Sequence, residues 1–306
     1  MPIRIDGSST VYPISEAAAE EFQAAHPAKV TIGISGTGGG FKKFCAGETV
    51  ITGASRPIKT VEVQACAQGK IDFVELPIAY DGLAVVVHPK NTWATNITIA
   101  ELRTIWQPEA QRTIMSWHQV RAGWPDRPLH LFGPGIDSGT YDYFTKAIVG
   151  SEHKSRGDYT SSEDDNVLVQ GVSRDEGGLG FFGLAYFEEN SDKLKLLPVD
   201  DANASNGAGP IFPTAETVGN GTYQPLSRPI FLYVAKSALA RPEVDAFIEF
   251  YLGHIASLVK EARYITLSAK TYELVHKRLK SGVTGSLFAG GGSEVGVTIE
   301  ALLEPK

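Results

Sequence analysis

Short apolar segments alternate with stretches of helical periodicity at the beginning of the chain. The predicted strands cover residues 3–5, 30–34 and 51–54. The predicted helices cover residues 11–26, 38–46 and 60–69. Because strands and helices alternate through short connections, the pattern predicts a parallel α/β sheet, in which ligands bind at the carboxyl ends of the strands.

The alternation continues along the rest of the chain. Two apolar runs fill residues 73–87 and are interrupted at Tyr80-Asp-Gly82. Further strands are predicted at 129–132 and 229–235, and helices at 141–149 and 242–265. Residues 161–172 are predicted to form a capped helix start at Ser162-Glu-Asp-Asp165 and a helix, and residues 200–221 a long loop. A chain of 306 residues corresponds to about two domains.

Composition narrows the possible partners. The chain is 42% hydrophobic and 21% charged, as is typical of a globular protein, and no apolar run approaches the roughly 20 residues that span a bilayer. A formal net charge of -7 makes a nucleic acid an unfavourable partner. A small anion remains possible, because local hydrogen-bond donors can hold it against the overall field.

The two cysteines, Cys45 and Cys66, allow two interpretations. They are either buried thiols of a cytosolic protein or one disulfide of a protein in an oxidising compartment, and the even number favours the disulfide. A metal site is not expected, since neither lies in a CxxC pair. Met1-Pro2 leads directly into a strand, which suggests that a start residue has replaced an export signal.

Three segments share one design, in which an apolar strand is followed by a turn of Ser, Thr and Gly and then by a helix. They are Gly7-Ser-Ser-Thr10, Ser35-Gly-Thr-Gly-Gly-Gly40 and Asp137-Ser-Gly-Thr140. The first N–H groups of a helix lack partners within it, and the helix dipole makes that end favourable for an anion. One such turn is usually only a helix cap. Three of them indicate a shared anion site.

The motifs of the chain do not match those of enzymes that use nucleotides or a serine nucleophile. The P-loop pair of Lys and Ser/Thr is missing after Gly33, and Phe41 stands where the dinucleotide motif GxGxxG requires its last glycine. Ser138 superficially resembles a protease serine, but no histidine of the chain lies in a matching motif. No catalytic residue, cofactor or metal is therefore predicted.

Arg56 and Asp137 are the charged candidates for an oxyanion site. Arg56 follows a predicted strand and could offer a planar fork to a tetrahedral anion, or it could simply pair with a carboxylate. Asp137 could cap a helix. It could also accept a hydrogen bond from a protonated oxyanion, which would favour hydrogen phosphate over sulfate.

These segments resemble the high-affinity phosphate-binding proteins of bacterial phosphate ABC transporters. The similarity is carried by Ile5-Asp-Gly-Ser-Ser-Thr-Val-Tyr-Pro13, Ser35–Gly40, Gly53-Ala-Ser-Arg-Pro-Ile58, Asp137–Thr140, Ser162-Glu-Asp-Asp-Asn166 and Gly178-Leu-Gly-Phe-Phe-Gly183. It covers most of the chain in the same order and is strongest to the branch with a cysteine pair like Cys45 and Cys66.

The resemblance implies a type II periplasmic binding protein, an α/β fold of two lobes joined by two crossover strands that closes on a dehydrated phosphate. Lobe I is then expected at 1–79 and 232–306, lobe II at 84–228, and the hinge strands near 80–83 and 229–231. The phosphate-binding residues implied by the resemblance are Ser9, Thr10, Val11, Thr37, Gly38, Ser138, Gly139 and Thr140, to which the residue-level argument adds Arg56 and Asp137.

Two positions depart from a well-known branch of that family. An aspartate of that branch, which accepts the proton of phosphate, is replaced by Arg56, and an arginine is replaced by Pro134. The expected activity is high-affinity phosphate binding for delivery to the membrane permease of an ABC transporter, by a periplasmic or exported monomer. The alternatives are a binder or sensor of arsenate or sulfate and, less favoured, a phosphate-ester hydrolase.

Overall fold

The structure, a computed structural model, describes residues 2–136, 138–288 and 299–304. The chain divides into two compact units. Unit 1 consists of Met1–Tyr80 together with Arg228–Lys306, and unit 2 consists of Asp81–Ser227. The chain therefore passes from one unit to the other twice.

Strands and helices alternate along most of the described chain. The strands are β1 (Ile3–Gly7), β2 (Val30–Ile32), β3 (Ile51–Ala54), β4 (Phe73–Val87), β5 (Ile97–Thr98), β6 (His130–Pro134), β7 (Thr160–Ser162), β8 (Gly178–Gly183), β9 (Lys195–Leu197), β10 (Val199–Asp200) and β11 (Ser227–Ala235). The helices are α1 (Tyr12–Ala25), α2 (Gly36–Cys45), α3 (Thr60–Gln68), α4 (Ile99–Trp106), α5 (Trp117–Val120), α6 (Gly139–Val149), α7 (Asp165–Ser173), α8 (Leu184–Glu189), α9 (Ala215–Gly219), α10 (Pro242–Gly253), α11 (Ile255–Glu261), α12 (Ala269–Ser281) and α13 (Ile299–Leu303). None of the helices in these described ranges is both long and apolar enough to cross a membrane.

Unit 1 contains a sheet in the order β2-β1-β3-β11. β1 is parallel to both β2 and β3, whereas β11 is antiparallel to β3. The carboxyl ends of the three parallel strands therefore lie at one edge of the sheet, and the amino end of β11 arrives at the same edge. The loops that lead into α1, α2 and α3 begin at this edge.

Helix α1 packs on this sheet through one apolar face. Ile14, Ala18 and Phe22 recur every four residues and are buried, as an amphipathic helix requires. The ring of Phe22 meets that of Phe247 in α10 edge to face, with 5.2 Å between centroids. Pro13 lies in the first turn of α1, where its missing N–H costs nothing.

Helix α2 lies unusually close to the sheet of unit 1. A Cβ atom added at Gly40 would lie 2.5 Å from the Cα of Gly7 and 2.5 Å from Oγ1 of Thr52. Only a glycine at this position lets the helix backbone approach β1 and β3 so closely. The start of α2 is thus held against the carboxyl edge of the sheet.

Unit 2 contains a sheet in the order β4-β8-β6-β7, with β9 paired to β4. β6 is parallel to β7 and β8, and β8 is antiparallel to β4. Phe144 of α6 stacks on Phe181 of β8 at 3.6 Å between ring centroids, and Trp106 of α4 meets the same ring at 4.9 Å. This aromatic cluster packs α6 and α4 against β8.

Two local predictions differ from the structure. The capped helix start predicted at 162–165 is present, since the side chain of Asp164 caps α7 by accepting from the amide of Asn166, but residues 160–162 form β7. The loop predicted at 200–221 contains α9, which begins after the capping residue Thr214. In both cases the signal that decides the boundary is one capping side chain.

Candidate oxyanion site

The turn between β1 and α1 is closed by Ser8. Its hydroxyl accepts from the amide of Thr10 at 3.2 Å, and its carbonyl accepts from the amides of Val11 and Tyr12 at 3.1 Å each. Val11 is buried and Ser9 is exposed. Thr10, between Ser9 and Val11, is half-buried.

The first turn of α2 is tied to the end of β3. The hydroxyls of Thr37 and Ser55 lie 3.1 Å apart, and the amide of Ser55 donates to Oγ1 of Thr37 at 3.2 Å. Both side chains are buried. A Cβ at Gly38 would lie 3.9 Å from Nη2 of Arg56. The structure thus brings Thr37, Gly38 and Arg56 together, as well as Ser55, which sequence reasoning had not singled out.

A buried acid lies beneath this turn. The Asp6 carboxylate accepts from Nζ of Lys43 at 2.6 Å and from the hydroxyl of Ser35. Burial alone would raise the pKa of Asp6, but the hydrogen bonds from Lys43 and Ser35 hold it below its ordinary value. Asp6 is therefore an ionised partner of Lys43 that anchors α2 to β1.

Arg56 forms an ion pair with a carboxylate, which was the alternative to a ligand role. Its Nη1 and Nη2 atoms each lie 2.8 Å from a carboxylate oxygen of Glu62, and Nη1 also donates to the carbonyl of Pro57 at 3.1 Å. Glu62 in turn accepts from the amide of Lys59 in the cap of α3. The side chain of Arg56 is only 3% exposed. The bidentate fork therefore fixes the loop between β3 and α3 beside Gly38.

The disulfide predicted for Cys45 and Cys66 is confirmed, with an S–S distance of 1.98 Å. It joins the last residue of α2 to α3. Glu62, the partner of Arg56, also lies in α3. The disulfide therefore connects α2, which begins at the candidate site, with the helix whose Glu62 pairs with Arg56. The alternative of two free thiols is excluded.

In unit 2 the turn after β6 leads into α6. Ser138 is the N-cap, and its hydroxyl accepts from the amide of Thr140 at 3.1 Å. Gly139 and Thr140 are buried in the first turn of the helix. Asp137 lies outside the described residues. Ser138, Gly139 and Thr140 therefore lie together at the start of α6 in unit 2.

One group of side chains in the described part of the chain has donor atoms close enough to share a metal ion. Asp142, Glu152 and His153 place their ligand atoms within 4.8 Å of one another. Nδ1 of His153 lies 3.1 Å from Oδ1 of Asp142. Such carboxylate–histidine contacts commonly form without a metal, so this cluster does not by itself indicate one.

A second buried arginine, which no sequence motif marked, lies at the edge of the sheet in unit 1. Arg228, at the start of β11, is 1% exposed. Its Nη2 lies 3.5 Å from Oγ1 of Thr10. The two residues are 218 positions apart in sequence, and no local motif marks the contact.

Comparison with known proteins places these turns in a family. A family model described as a PBP superfamily domain matches residues 2–254. The chain is 50% identical over 303 residues to the protein SphX of Synechococcus elongatus, which covers 99% of this chain and 88% of SphX. It is 37% identical over 277 residues to the phosphate-binding protein PstS of Staphylococcus haemolyticus, covering 90% of this chain and 84% of PstS.

The chain belongs to the PBP superfamily, in the family of the PstS proteins. Solved structures agree with this PstS assignment. A possible phosphate-binding protein of Planctomyces limnophilus has 47% identity and a TM-score of 0.73, covering 92% of this chain and 99% of the other. A putative phosphate ABC transporter substrate-binding protein of Clostridium perfringens, with bound phosphate, has 25% identity and a TM-score of 0.70, covering 88% and 100%. The predicted α/β fold of a periplasmic phosphate-binding protein is thereby confirmed.

Proposed function

We propose that the protein binds inorganic phosphate reversibly and delivers it to the membrane permease of an ABC transporter, without catalysis. The observation that carries this proposal is the first turn of α2, where Gly38 lies beside the guanidinium of Arg56. A helix start combines free N–H groups with a favourable dipole, and glycine lets an anion reach them. A named relative and a solved structure that contains phosphate support the same ligand.

Both units contribute ligand groups in this proposal. Unit 1 supplies Ser9, Thr10, Val11, Thr37, Gly38 and Arg56, and unit 2 supplies Ser138, Gly139 and Thr140. Removing water from an anion costs free energy unless other donors bind its oxygens. In this proposal hydroxyls and backbone amides take the place of that water. Affinity then depends on hydrogen bonds from the starts of three helices, α1, α2 and α6, rather than on bond-making chemistry.

Isothermal titration of the dialysed protein with phosphate, arsenate and sulfate at constant ionic strength tests the ligand. We expect one phosphate per chain and much weaker sulfate. Sulfate binding without phosphate binding would overturn the proposal. A chromogenic phosphate ester tests the enzyme alternative, and steady turnover by the pure protein would contradict a binding role.

Thr10→Val tests the site, because valine keeps the shape of threonine and removes its hydroxyl. We expect about a tenfold loss of phosphate affinity, in line with a hydrogen bond to a charged group. Thr104→Val is the matched control. Its hydroxyl donates to the carbonyl of Ala100 within α4, so phosphate affinity should be unchanged.

Asp137 is the proposed acceptor for the proton of hydrogen phosphate. A carboxylate there would repel an anion that has no proton to share. Asp137→Asn should therefore lower the affinity for phosphate and raise the affinity for sulfate relative to that for phosphate. An unchanged ratio of the two affinities by calorimetry would remove Asp137 from this role.

The disulfide bears on the compartment in which the protein acts. The disulfide between Cys45 and Cys66 is typical of an oxidising compartment. The proposal is therefore an exported protein that acts as a monomer. Light scattering of the purified protein, with and without phosphate, tests the monomer; a dimer in either state would contradict it.

A further inference from the structure

Glu75 of β4 is a fully buried acid that the proposed function does not use. Its Oε1 accepts from the amide of Leu287 at 2.7 Å, and its Oε2 accepts from the hydroxyl of Tyr233 at 2.7 Å. Burial raises the pKa of Glu75, and these two hydrogen bonds oppose the rise. Because both oxygens are bound, Glu75 is a fixed acceptor in the core of unit 1.

Tyr233 of β11 connects Glu75 to the loop between β3 and α3. Its hydroxyl donates to Glu75, and the same oxygen accepts from the amide of Ile58 at 2.9 Å. Its ring, which is fully buried, meets that of Phe41 in α2 edge to face, with 4.8 Å between centroids. The centroid of the Phe41 ring also lies 5.6 Å from Cζ of Arg56. The hydroxyl of Tyr233 is therefore held in place both by its packed ring and by Glu75.

The peptide group between Pro57 and Ile58 links Tyr233 to Arg56. Its N–H, on Ile58, donates to Tyr233, and its carbonyl, on Pro57, accepts from Nη1 of Arg56 at 3.1 Å. A trans peptide group is planar, and its N–H and C=O point in opposite directions. Fixing the N–H against Tyr233 therefore also fixes the direction in which the carbonyl faces the guanidinium.

The orientation of Arg56 matters because its guanidinium lies beside the start of α2. A Cβ atom added at Gly38 would lie 3.9 Å from Nη2 of Arg56. Glu62 holds the same guanidinium through two contacts of 2.8 Å, from its place in α3. The guanidinium is thus held from the helix by Glu62 and from the sheet by the Pro57 carbonyl that Tyr233 positions.

We propose that Tyr233 and Glu75 are positioning residues of the phosphate site, which neither side chain contacts directly; this rests on the proposed function. Glu75 fixes the hydroxyl of Tyr233, and this hydroxyl fixes the peptide group after Pro57. That group in turn sets the direction of the Arg56 guanidinium. A guanidinium that is oriented before phosphate arrives loses less conformational entropy on binding, which raises affinity. The core of the sheet thereby contributes to the affinity of a site at its edge.

Tyr233→Phe removes the hydroxyl and keeps the ring, and Tyr272→Phe is the matched control. Tyr272 is also buried in unit 1, and its hydroxyl likewise accepts from one amide, of Leu267 at 3.2 Å, and donates to one acceptor, the carbonyl of Ile78 at 2.9 Å. Both variants should lower the midpoint of urea denaturation by similar amounts. In isothermal titration Tyr233→Phe should lose about tenfold in phosphate affinity, and Tyr272→Phe less than about twofold. Equal affinities in the two variants would overturn the proposal.

A second titration asks whether Tyr233 acts through Arg56. Arg56→Lys keeps the positive charge and removes the planar fork. In that background Tyr233→Phe should cost less than about threefold in phosphate affinity, because the group that it positions is gone. A merely structural role for Tyr233 predicts the same loss in both backgrounds, and that result would contradict the positioning role.

Glu75→Gln tests the next contact and decides the matter if Tyr233→Phe does not fold. Glutamine keeps the shape of the side chain and can still accept from Leu287, but its amide nitrogen is a donor and cannot accept from Tyr233. We expect about a fivefold loss of phosphate affinity. A folded Glu75→Gln variant with wild-type affinity would show that Glu75 does not position the site.

Two failures are distinguishable. A wild-type protein that does not bind phosphate in the same titration overturns the proposed function. A wild-type protein that binds phosphate, together with Tyr233→Phe and Tyr272→Phe variants of equal affinity, overturns only the positioning role of Tyr233 and Glu75.

Discussion

Arg56 in unit 1 and Arg156 in unit 2 are both buried against a carboxylate. Arg156 places Nε 2.5 Å and Nη2 2.9 Å from the two oxygens of Asp158, and its Nη1 donates to the carbonyls of Ile105 and Ile114. Arg56 holds Glu62 through two contacts of 2.8 Å. The two arginines thus make the same kind of ion pair within different surroundings.

The comparison shows that a buried arginine does not by itself indicate a ligand. A guanidinium removed from water needs acceptors, and both residues obtain them from a nearby carboxylate and from backbone carbonyls. What distinguishes Arg56 is its position next to Gly38 at the start of α2. Arg156 instead joins the connection after α4 to the segment before β7.

The largest expected effect comes from removing each arginine in turn. Arg56→Met and Arg156→Met should each cost about 3 to 5 kcal/mol in the free energy of unfolding, because each leaves a carboxylate without its partner. Only Arg56→Met should also weaken phosphate. Urea denaturation measures the first effect and calorimetry the second. Equal phosphate affinities in the two variants would show that Arg56, like Arg156, has a structural role only.

Acid should weaken unit 2 through Asp158. The hydrogen bond from Arg156 lowers the pKa of Asp158 from 3.8 to about 2. A folded-state pKa below the unfolded value adds stability that is present above about pH 4 and is lost as the pH falls through about 2. Asp158→Asn should therefore flatten the decline in the free energy of unfolding between pH 4 and 2. An unchanged slope would show that the pair does not govern acid sensitivity.

The helix caps offer a smaller contrast. Ser138 caps α6 at the candidate site, and Ser268 caps α12 by accepting from the amide of Thr271 at 3.0 Å. Ser138→Ala and Ser268→Ala should each cost about 1 kcal/mol of stability. Phosphate affinity should fall only for Ser138→Ala, by about tenfold. A similar loss in Ser268→Ala would indicate that stability, and not a ligand contact, controls affinity.

The smallest expected effect concerns Gly38. A Cβ there would lie at ordinary contact distance from Arg56, so a side chain is accommodated. Gly38→Ser adds a hydroxyl donor at the start of α2 and should tighten phosphate several-fold, while Gly38→Ala should not. Both should raise stability by a few tenths of a kcal/mol or more, because glycine is a poor helix former. Weaker binding by the serine variant would mean that the anion needs the bare backbone.

Local sequence determined the elements and turns of this protein well. The alternation of apolar runs with helical periodicity predicted β1 to β3 and α1 to α3, since each depends on neighbours a few residues away. The turns before α1, α2 and α6 were visible for the same reason, because glycine and hydroxyl residues act within their own turn. The even number of cysteines favoured a disulfide over two free thiols, and the structure contains it.

Only the tertiary structure decided which charges meet at those turns. Whether Arg56 faces an anion or Glu62 depends on the path of α3, and the contact of Arg228 with Thr10 depends on β11 running antiparallel to β3. Burial makes such contacts energetically important, and burial is a property of the assembled sheet. A turn depends on consecutive residues, whereas the electrostatic environment of a site depends on strands that are distant in sequence.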